Sequence, residues 1–407
     1  VGPRATEAPN PATGMDTGAL PLLFGASVVI AIVGLVALLS PPNVWDVMVA
    51  HMPRVFFWLQ DRSVRFYPTA DLQQLFMPPF SEFMVSHLHA LSGGDRFDNL
   101  VQWGAMAGSA VGVSLIARRL GADARGQAFA ALLSATIPQG ILSASNPKND
   151  FVLAFWLVAM VYYSLEYGAR PNRWSAMGVG ASFGLACLTK GTGFLFAPVL
   201  LAALVTAWPS GTWRILVRHG LWMAMIVLAL NAGQFARNHQ LFGSILGPGE
   251  VTGCTFTNES FKARTLVSNT VRNLVLHLGT PSERVNAALE RWTRGLLEHW
   301  GIDPDDPRTT WCFSKFDVPP YRLLEDVGGN PLHLLLIFGS VAVVPWVRRL
   351  RSDRALAAVS GGLVMAFLLF CLAFRWQPWH ARLHLPLFVL GCAVAAAVSS
   401  SMLPRRA

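Results

Sequence analysis

Ten apolar runs alternate with polar gaps along the chain. A membrane-spanning α-helix needs about 20 apolar residues, and the first run, residues 19–40, has that length. No small-residue cleavage site follows it, so we expect a retained span rather than a signal peptide. The predicted spans are 19–40, 99–117, 127–143, 151–167, 175–188, 191–208, 221–235, 331–347, 355–374 and 385–401. The pattern therefore predicts an all-α polytopic membrane protein with about ten transmembrane helices.

These spans divide the chain into four parts. Residues 1–18 are rich in Pro, Gly, Ala and Thr without an apolar pattern, which predicts a disordered cytoplasmic tail. Residues 19–235 form a transmembrane core whose first outer loop covers 41–98. An outer, mostly helical insertion follows at 236–330, and residues 331–407 carry the C-terminal transmembrane helices. The loop and the insertion are thus the two long polar segments.

Short amphipathic helices are expected in both polar segments. Apolar residues recur at helical spacing over 45–59, where Pro53 should bend or break the helix, and a second short helix is predicted at 80–91. In the insertion, the sequence Thr-Pro-Ser-Glu at 280–283 matches a capping box, and the helix that follows should end before Gly301.

The distribution of basic residues predicts the orientation. With the amino and carboxyl termini in the cytoplasm, the gaps at 118–125, 170–173, 209–218, 348–354 and 402–407 lie inside and hold roughly a dozen Arg, as the positive-inside rule expects. The outer gaps are then the 41–98 loop, the 148–150 turn, the turn at Lys190, the 236–330 insertion and the 375–384 turn. Acids, His and Trp collect there, so we expect a functional face on the periplasmic side of a bacterial inner membrane.

Composition excludes several classes of protein. Hydrophobic residues make up 53% of the chain and charged residues 14%, with a mean hydropathy of +0.43, whereas soluble domains carry about 25% charge. The net charge of +9 comes largely from Arg in the inner gaps, so no basic domain is left to bind nucleic acid. Sequence motifs for P-loop nucleotide binding, serine hydrolysis and zinc proteolysis are absent from the chain.

The five cysteines show neither CxxC nor zinc-ligand spacing, so we predict no metal site from them. Cys187, Cys371 and Cys392 lie in apolar runs and are expected to be small core residues. Cys254 and Cys312 share the polar insertion, and a disulfide between them is left open, as it requires an oxidising compartment. Assistance by a divalent metal ion is likewise left open.

Charged groups at the outer ends of spans are the candidates for chemistry, because placing them near hydrocarbon is costly. Asp46 and Asp150 are the acids nearest such ends, and helix capping is the alternative interpretation of each. The basic and titratable groups on the same face are Arg54, Lys148, Lys190, Arg237, Arg375, His380, Arg382 and His384. Arg and Lys gathered this way suit a phosphate head group, whereas any single Arg is equally explained by snorkelling to lipid phosphates.

Five short motifs follow one another over about the first 250 residues. They are Trp45-Asp46 with His51-Met52-Pro53-Arg54, Met77-Pro78-Pro79-Phe80, Ser145 to Asp150, Gly184 to Gly191, and Arg237-Asn238 with Phe242-Gly243. In this order and on one face, they resemble the GT-C superfamily of membrane glycosyltransferases, specifically the family 39 type that includes protein mannosyltransferases and aminoarabinose transferases.

That resemblance implies transfer of a sugar from a polyprenyl-phosphate donor to a lipid, glycan or protein acceptor on the outer face. It implies that Asp46 is the general base for the acceptor and that Asp150 orients the acceptor or the first loop. Lys190 and Arg237 would hold the phosphate. A carboxylate is a suitable base for an attacking hydroxyl or amine, and a phosphate stabilised by cations can leave as an anion without being protonated.

Two positions depart from the family pattern. No second acid stands beside Asp46, which leaves Asp46 to act alone or with His51, and Met77 stands where many relatives have Lys. These departures motivate an alternative, a catalytically degenerate subunit with a structural role among partner subunits of a larger membrane complex. A transporter or flippase is a third possibility, for which acids or broken helices at mid-membrane depth are typical; here the polar groups stand at span ends.

Overall fold

A computed structural model describes residues 16–209, 213–251, 253–320, 322 and 324–402, and almost all of the predicted tail at 1–18 lies outside these residues. The first helices are α1 (Leu20–Leu39), α2 (Met52–Gln60), α3 (Gln73–Phe76), α4 (Phe80–Ser92), α5 (Leu100–Arg119), α6 (Ala124–Ala135), α7 (Pro138–Ala144), α8 (Asp150–Ala169), α9 (Arg173–Thr189), α10 (Gly193–Val205) and α11 (Trp213–Phe242). The remaining ones are α12 (Ala263–His277), α13 (Glu283–His299), α14 (Pro331–Val343), α15 (Arg348–Arg351), α16 (Arg354–Ala373), α17 (His380–Leu383) and α18 (Leu385–Met402). A π-helical turn (Val47–His51) and a 3-10 turn (Asp95–Phe97) complete the helical structure of this part of the chain.

The predicted all-α polytopic membrane fold is confirmed. Within the described ranges, helices that are long and apolar enough to cross a bilayer are Leu20–Leu39, Asp95–Arg119, Asp150–Ala169, Val217–Phe242, Arg354–Ala373 and Leu385–Met402. Helices α10 and α14 are apolar but shorter. The chain is therefore an integral membrane protein, and the count of ten crossings stays a prediction.

Helix α18 forms the centre of the bundle. It is apolar around its whole circumference, and 78% of its residues are buried, against 22% for α1. Such a helix is stable only when other helices surround it, and α18 packs against α5, α6, α8, α14 and α16. The peripheral α1 and α11 instead present Phe24, Leu39 and Leu228 outward, as helices in contact with lipid do.

Small residues allow α9 and α11 to approach closely. A Cβ atom added to Gly180 would lie 2.9 Å from the Cα atom of Met223, and one added to Gly184 would lie 3.2 Å from the Cα atom of Val227. Glycine at helix interfaces is a common means of close packing in membranes. This contact fixes α11, which carries Arg237, against α9, which Lys190 directly follows.

Two prolines change predicted helices. The span predicted at 127–143 is wrong as one helix, because Pro138 starts the separate helix α7 and Ile137 before it is extended. Proline lacks the N–H needed for a continuous helix and disfavours helical geometry in the residue before it. At Pro53, the predicted break takes the form of the π-helical turn Val47–His51, after which α2 continues.

The insertion contains the expected helix and a second one before it. Helix α13 begins at Glu283, and Gly301 follows its end with φ of 68°, as predicted. The predicted capping box is wrong, because Ser282 occupies the N-cap position and Thr280 instead bonds Asn286, whose Oδ1 accepts from the Thr280 N–H at 2.8 Å. The Asn286 amide also donates to the carbonyl of Thr280 at 2.9 Å, so Asn286 holds the segment that leads into α13.

A disulfide closes the insertion, which settles the alternative left open by the sequence. It joins Cys254 to Cys312, whereas Cys187, Cys371 and Cys392 are buried thiols, as expected of core residues. Isolated backbone bridges from Thr257 to Phe374 and from Thr310 to Trp376 attach the insertion to the 375–384 turn. The insertion is therefore tied to the membrane core rather than separate from it.

The inner gaps meet on one face of the bundle. Arg119 at the end of α5 pairs with Glu166 near the end of α8. Ser400 near the carboxyl end of α18 contacts Asp123, which caps α6, and Arg349 donates to the carbonyl of Ser401 at 3.5 Å. These contacts bring four of the five predicted inner gaps together, while their assignment to the cytoplasm stays a prediction.

Candidate active site

Asp46 stands where the first outer loop turns back toward the bundle. Helix α1 ends at Leu39 because Ser40 is extended ahead of Pro41 and Pro42. The π-helical turn starts directly after Asp46, and its first residue, Val47, is fully buried. The buried Val47 anchors the chain here while 31% of the Asp46 side chain remains exposed.

Two cations hold the Asp46 carboxylate. Its Oδ2 pairs with Nη1 of Arg382 from the 375–384 turn and lies 3.5 Å from Nζ of Lys148 in the 148–150 turn. Burial opposes ionisation of Asp46, but the charges of Arg382 and Lys148 outweigh it and hold the pKa of the carboxyl well below its ordinary range. Asp46 is therefore an ionised carboxylate at neutral pH.

The insertion supplies two further acids that the sequence interpretation missed. Lys148 Nζ lies 3.0 Å from Glu325 Oε1 and 3.3 Å from Asp326 Oδ1, and Arg382 Nη1 lies 2.8 Å from the same Asp326 oxygen. Glu325 and Asp326 stand in a polar stretch without periodicity or motif, so only the tertiary fold shows that they join Asp46. Lys148 is completely buried, and these carboxylates compensate its charge.

Asp150 forms a second ion pair next to the first. It is the first residue of α8 and pairs through Oδ1 with Nζ of Lys190, the first residue of the turn between α9 and α10. Asn149, rather than Asp150, occupies the N-cap position of α8, and its side chain makes no capping hydrogen bond. Capping is thus not the role of the Asp150 side chain, and its charge also acts on Arg382 and Lys148.

Together these groups form what we call the outer charge cluster. Its members are Asp46, Asp150, Glu325, Asp326, Lys148, Lys190 and Arg382. With four carboxylates and three cations it has a net charge of −1 when all are ionised. It joins four outer gaps and the first loop by direct contact, so the predicted grouping of those gaps on one face is confirmed. In the described ranges, no group of three or more His, Cys, Asp or Glu side chains is placed to hold a metal ion.

His51 and Arg54 lie outside this cluster and share Glu82 with each other. Glu82 Oε1 is 2.8 Å from His51 Nδ1 and 3.3 Å from Arg54 Nη1, so His51 pairs with Glu82 rather than with Asp46. The buried Arg54 guanidinium also donates to the carbonyls of Gln73, Gln74 and Met77. Four of its five N–H donors are therefore used within the protein, and its side chain is only 1% exposed, so Arg54 is not placed to meet an outside phosphate.

Arg375 is likewise placed away from the cluster. It is buried, pairs with Glu259 of the insertion and points Nη1 toward Cys312 Sγ at 3.1 Å. Its backbone N–H donates to the carbonyl of Phe256 at 2.9 Å. These contacts attach the insertion to the 375–384 turn, so the structure gives Arg375 a position at that junction rather than beside Asp46.

The two histidines of the 375–384 turn are buried at the same junction. His384 Nδ1 lies 3.0 Å from His277 Nε2, and His380 Nδ1 lies 3.0 Å from Asn273 Oδ1, both partners belonging to α12. Burial lowers the pKa of His277 and of His380 to about 3 and holds that of His384 well below its ordinary value. They are neutral hydrogen-bonding groups that dock α12, not cations facing a ligand.

Among the basic residues predicted for the site, all of them within the described ranges, Arg237 has the fewest protein partners. It is half-buried in α11, with its guanidinium 4.4 Å from the ring centroid of Phe66. Among the described residues it has no ion pair or hydrogen bond from its side chain. A guanidinium stacked on an aromatic ring keeps its N–H donors directed outward, so Arg237 is chemically suited to bind an incoming anion.

Comparison with known proteins relates this chain to one family model and to several solved structures. A family model described as "Dolichyl-phosphate-mannose-protein mannosyltransferase" matches residues 77–232. Among solved structures, the chain is similar to ArnT from Cupriavidus metallidurans in the apo state, with 18% identity and a TM-score of 0.62 over 96% of this chain and 61% of that one. The sequence-based resemblance to GT-C membrane glycosyltransferases is thereby confirmed at the level of fold.

Two further matches have the same architecture. ArnT from C. metallidurans bound to undecaprenyl phosphate matches with 17% identity and a TM-score of 0.61, over 96% of this chain and 62% of that one. The oligosaccharyltransferase AglB from Archaeoglobus fulgidus, with an inhibitory peptide and a dolichol-phosphate, matches with 14% identity and a TM-score of 0.54, over 93% of this chain and 50% of that one. No curated protein sequence matches the chain. The chain spans between half and about three fifths of the length of these solved proteins.

Proposed function

We propose that this protein is an integral membrane glycosyltransferase that moves a sugar from a polyprenyl-phosphate donor to an acceptor at its outer face. The observation that carries the proposal is the Asp46 carboxylate, ionised, partly exposed and oriented by Arg382 and Lys148. The fold adds support, since solved proteins that share it bind undecaprenyl phosphate and dolichol-phosphate.

In the proposed reaction, Asp46 is the general base. The acceptor hydroxyl or amine forms a bond to the anomeric carbon of the sugar, and its proton passes to an Asp46 oxygen. The bond between the anomeric carbon and the phosphate oxygen breaks, and its electron pair leaves with the polyprenyl phosphate. Because the acceptor atom becomes strongly acidic as its new bond forms, even a carboxylate of low pKa can take the proton late in the step.

The leaving phosphate needs cations rather than an acid. Arg237 offers donors that no described residue occupies, and Lys190 exposes 14% of its side chain beside Asp150. An anion held by such groups is stabilised as its charge develops. We therefore assign Arg237, with Lys190, to the phosphate of the donor, and Asp150 to holding Lys190 in place.

A donor panel tests this function. The purified chain is incorporated into liposomes with polyprenyl phosphates that carry different radiolabelled neutral and amino sugars, together with a membrane lipid extract as acceptor. We expect label to move from at least one donor to a product of different mobility. Retention of all label on every donor, with protein of native size and helicity, would contradict the proposal.

A further inference from the structure

The insertion places a second exposed carboxylate beside Asp46. Asp326 Oδ1 and Asp46 Oδ2 lie 3.3 Å and 3.5 Å from the same atom, Lys148 Nζ, so the two oxygens are at most about 7 Å apart. Both oxygens also contact Nη1 of Arg382. Two carboxylates at this distance repel each other unless cations lie between them, and here Lys148 and Arg382 do.

The exposed fraction of the side chain distinguishes Asp46 and Asp326 from the residues that they contact. Asp46 and Asp326 each expose 31% of their side chains, whereas Glu325 exposes 4%, Lys148 none and Arg382 11%. The buried members of the cluster thus hold the site in place. Asp46 and Asp326 are the two carboxylates that an arriving molecule meets.

The position of Asp326 is fixed by the surrounding elements. The preceding residue, Glu325, receives a hydrogen bond on its carbonyl from the side chain of Gln139 in α7. Four residues after Asp326, the N–H of Asn330 donates to the carbonyl of His277 at 2.9 Å. The Oδ1 of Asn330 accepts from the N–H of Gln139 at 3.0 Å. Contacts to α7 and α12 therefore hold this segment at the site.

We propose that Asp326 is a positioning residue for Asp46 and the second carboxylate of the site. By sharing Lys148 and Arg382, it prevents both cations from closing on Asp46 alone. A base must loosen its ion pairs to accept a proton, and a carboxylate held by fewer full charges does so at lower cost. The catalytic consequence rests on the proposed function, whereas the electrostatic coupling between the two positions does not.

A thiol at position 46 measures that coupling without any transfer reaction. The three unpaired cysteines are buried and the other two form the disulfide, so Asp46→Cys introduces the accessible thiol. Its pKa is read from the pH dependence of its alkylation rate by a small maleimide. Adding Asp326→Asn removes a negative charge near the shared cations, and we expect the thiol pKa to fall by about 1 pH unit.

Two matched variants control this titration. Asp326→Glu keeps the charge and should leave the thiol pKa near its value in the Asp46→Cys background. Glu298→Gln removes an exposed carboxylate of the same insertion, on α13, and should also leave it unchanged. A thiol pKa that does not move with Asp326→Asn, or that moves as much with Glu298→Gln, would overturn the inference.

Steady-state transfer tests the catalytic consequence in the otherwise unmodified chain. We expect Asp326→Asn to lower kcat by about tenfold with little change in KM for the donor, and Asp326→Glu to recover most of the loss. A raised KM with kcat retained, or wild-type kinetics, would overturn the positioning role. If the wild-type chain transfers no sugar from any donor, the proposed function fails, and the thiol titration still decides whether Asp326 acts on position 46.

Discussion

At the scale of single residues, the buried charges of the outer face are stable only because opposite charges pair with them. Asp150 is 1% exposed and would be an uncompensated buried charge without Lys190, with which it pairs. Removing one partner of a buried pair costs about 3–5 kcal/mol, whereas removing both costs far less. Asp150 therefore holds Lys190 in its proposed position, and losing either charge should destabilise the protein.

This pairing gives a double-mutant prediction. Asp150→Asn and Lys190→Met should each lower the thermal unfolding midpoint of the detergent-solubilised protein, and the double variant should be more stable than the sum of the two losses predicts. Losses that add would contradict a direct pair. Asp61→Asn, in an exposed position of the first loop, serves as the control and should leave the midpoint unchanged.

At the scale of elements, the docking of α12 on the 375–384 turn depends on neutral histidines. His277 and His384 contact each other while buried, and burial lowers the pKa of His277 to about 3, against about 6.5 in an unfolded chain. Protonation therefore favours the undocked state. The stabilisation from the neutral form is fully present above about pH 6.5 and is lost as the pH falls from there toward about 3.

We expect the insertion to become sensitive to protease as the pH falls from 7.5 to 5, with the thermal midpoint falling in parallel. His277→Gln should flatten this dependence, by up to about 1.4 kcal/mol per pH unit for each histidine that is no longer required to stay neutral. His87→Gln, in an exposed position of α4, should keep the wild-type dependence. Equal pH dependence in His277→Gln and wild type would contradict this role.

The membrane-spanning segments and the grouping of charged gaps are the features that could be predicted from the sequence. Apolar runs predict the spans because hydrocarbon excludes polar backbone. The basic gaps predict that Asp46, Lys148, Asp150, Lys190 and Arg382 share one side, and in the structure they lie together. These predictions use only the composition of consecutive residues. Local pattern was sufficient for these features but not for the run at 127–143, which Pro138 divides into two helices.

Which charged side chains pair with each other in the folded protein could not be predicted from the sequence. Arg54 carries the charge expected of a phosphate ligand, but its donors satisfy carbonyls at the end of α3, a demand that exists only once the loop has folded. Asp326 shows no local signal, yet it contacts Lys148, which is 178 residues away in the sequence. The sequence could predict which face carries the site and which charged residues belong to that face. It could not predict which of these residues contact one another.

At the scale of the whole molecule, the outer charge cluster is the point where separate segments meet. Asp46 comes from the first loop, Lys148 from the turn before α8, Asp326 from the insertion and Arg382 from the turn before α18. Each segment is anchored by a helix of the bundle. The proposed chemistry therefore depends on four segments that are far apart in the sequence.

Thiol accessibility tests that orientation. We expect Glu298→Cys, in the insertion, to react with a membrane-impermeant maleimide in intact cells, and Ser352→Cys, in the basic gap between α15 and α16, to react only after permeabilisation, as the positive-inside rule predicts. The wild-type chain is the background control, because its unpaired cysteines are buried. Labelling of Ser352→Cys in intact cells would contradict the proposed topology.

The most direct test of the account is the effect of Asp46→Asn on sugar transfer, measured as initial rates at equal protein in liposomes against wild type and Asp61→Asn. We predict that Asp46→Asn loses about 100-fold or more of kcat, the scale of a lost general base, while Asp61→Asn keeps the wild-type rate and all three unfold at similar temperatures. Equal rates for Asp46→Asn and wild type would contradict the role of Asp46. Absence of transfer in all three would favour a structural subunit of a larger membrane complex.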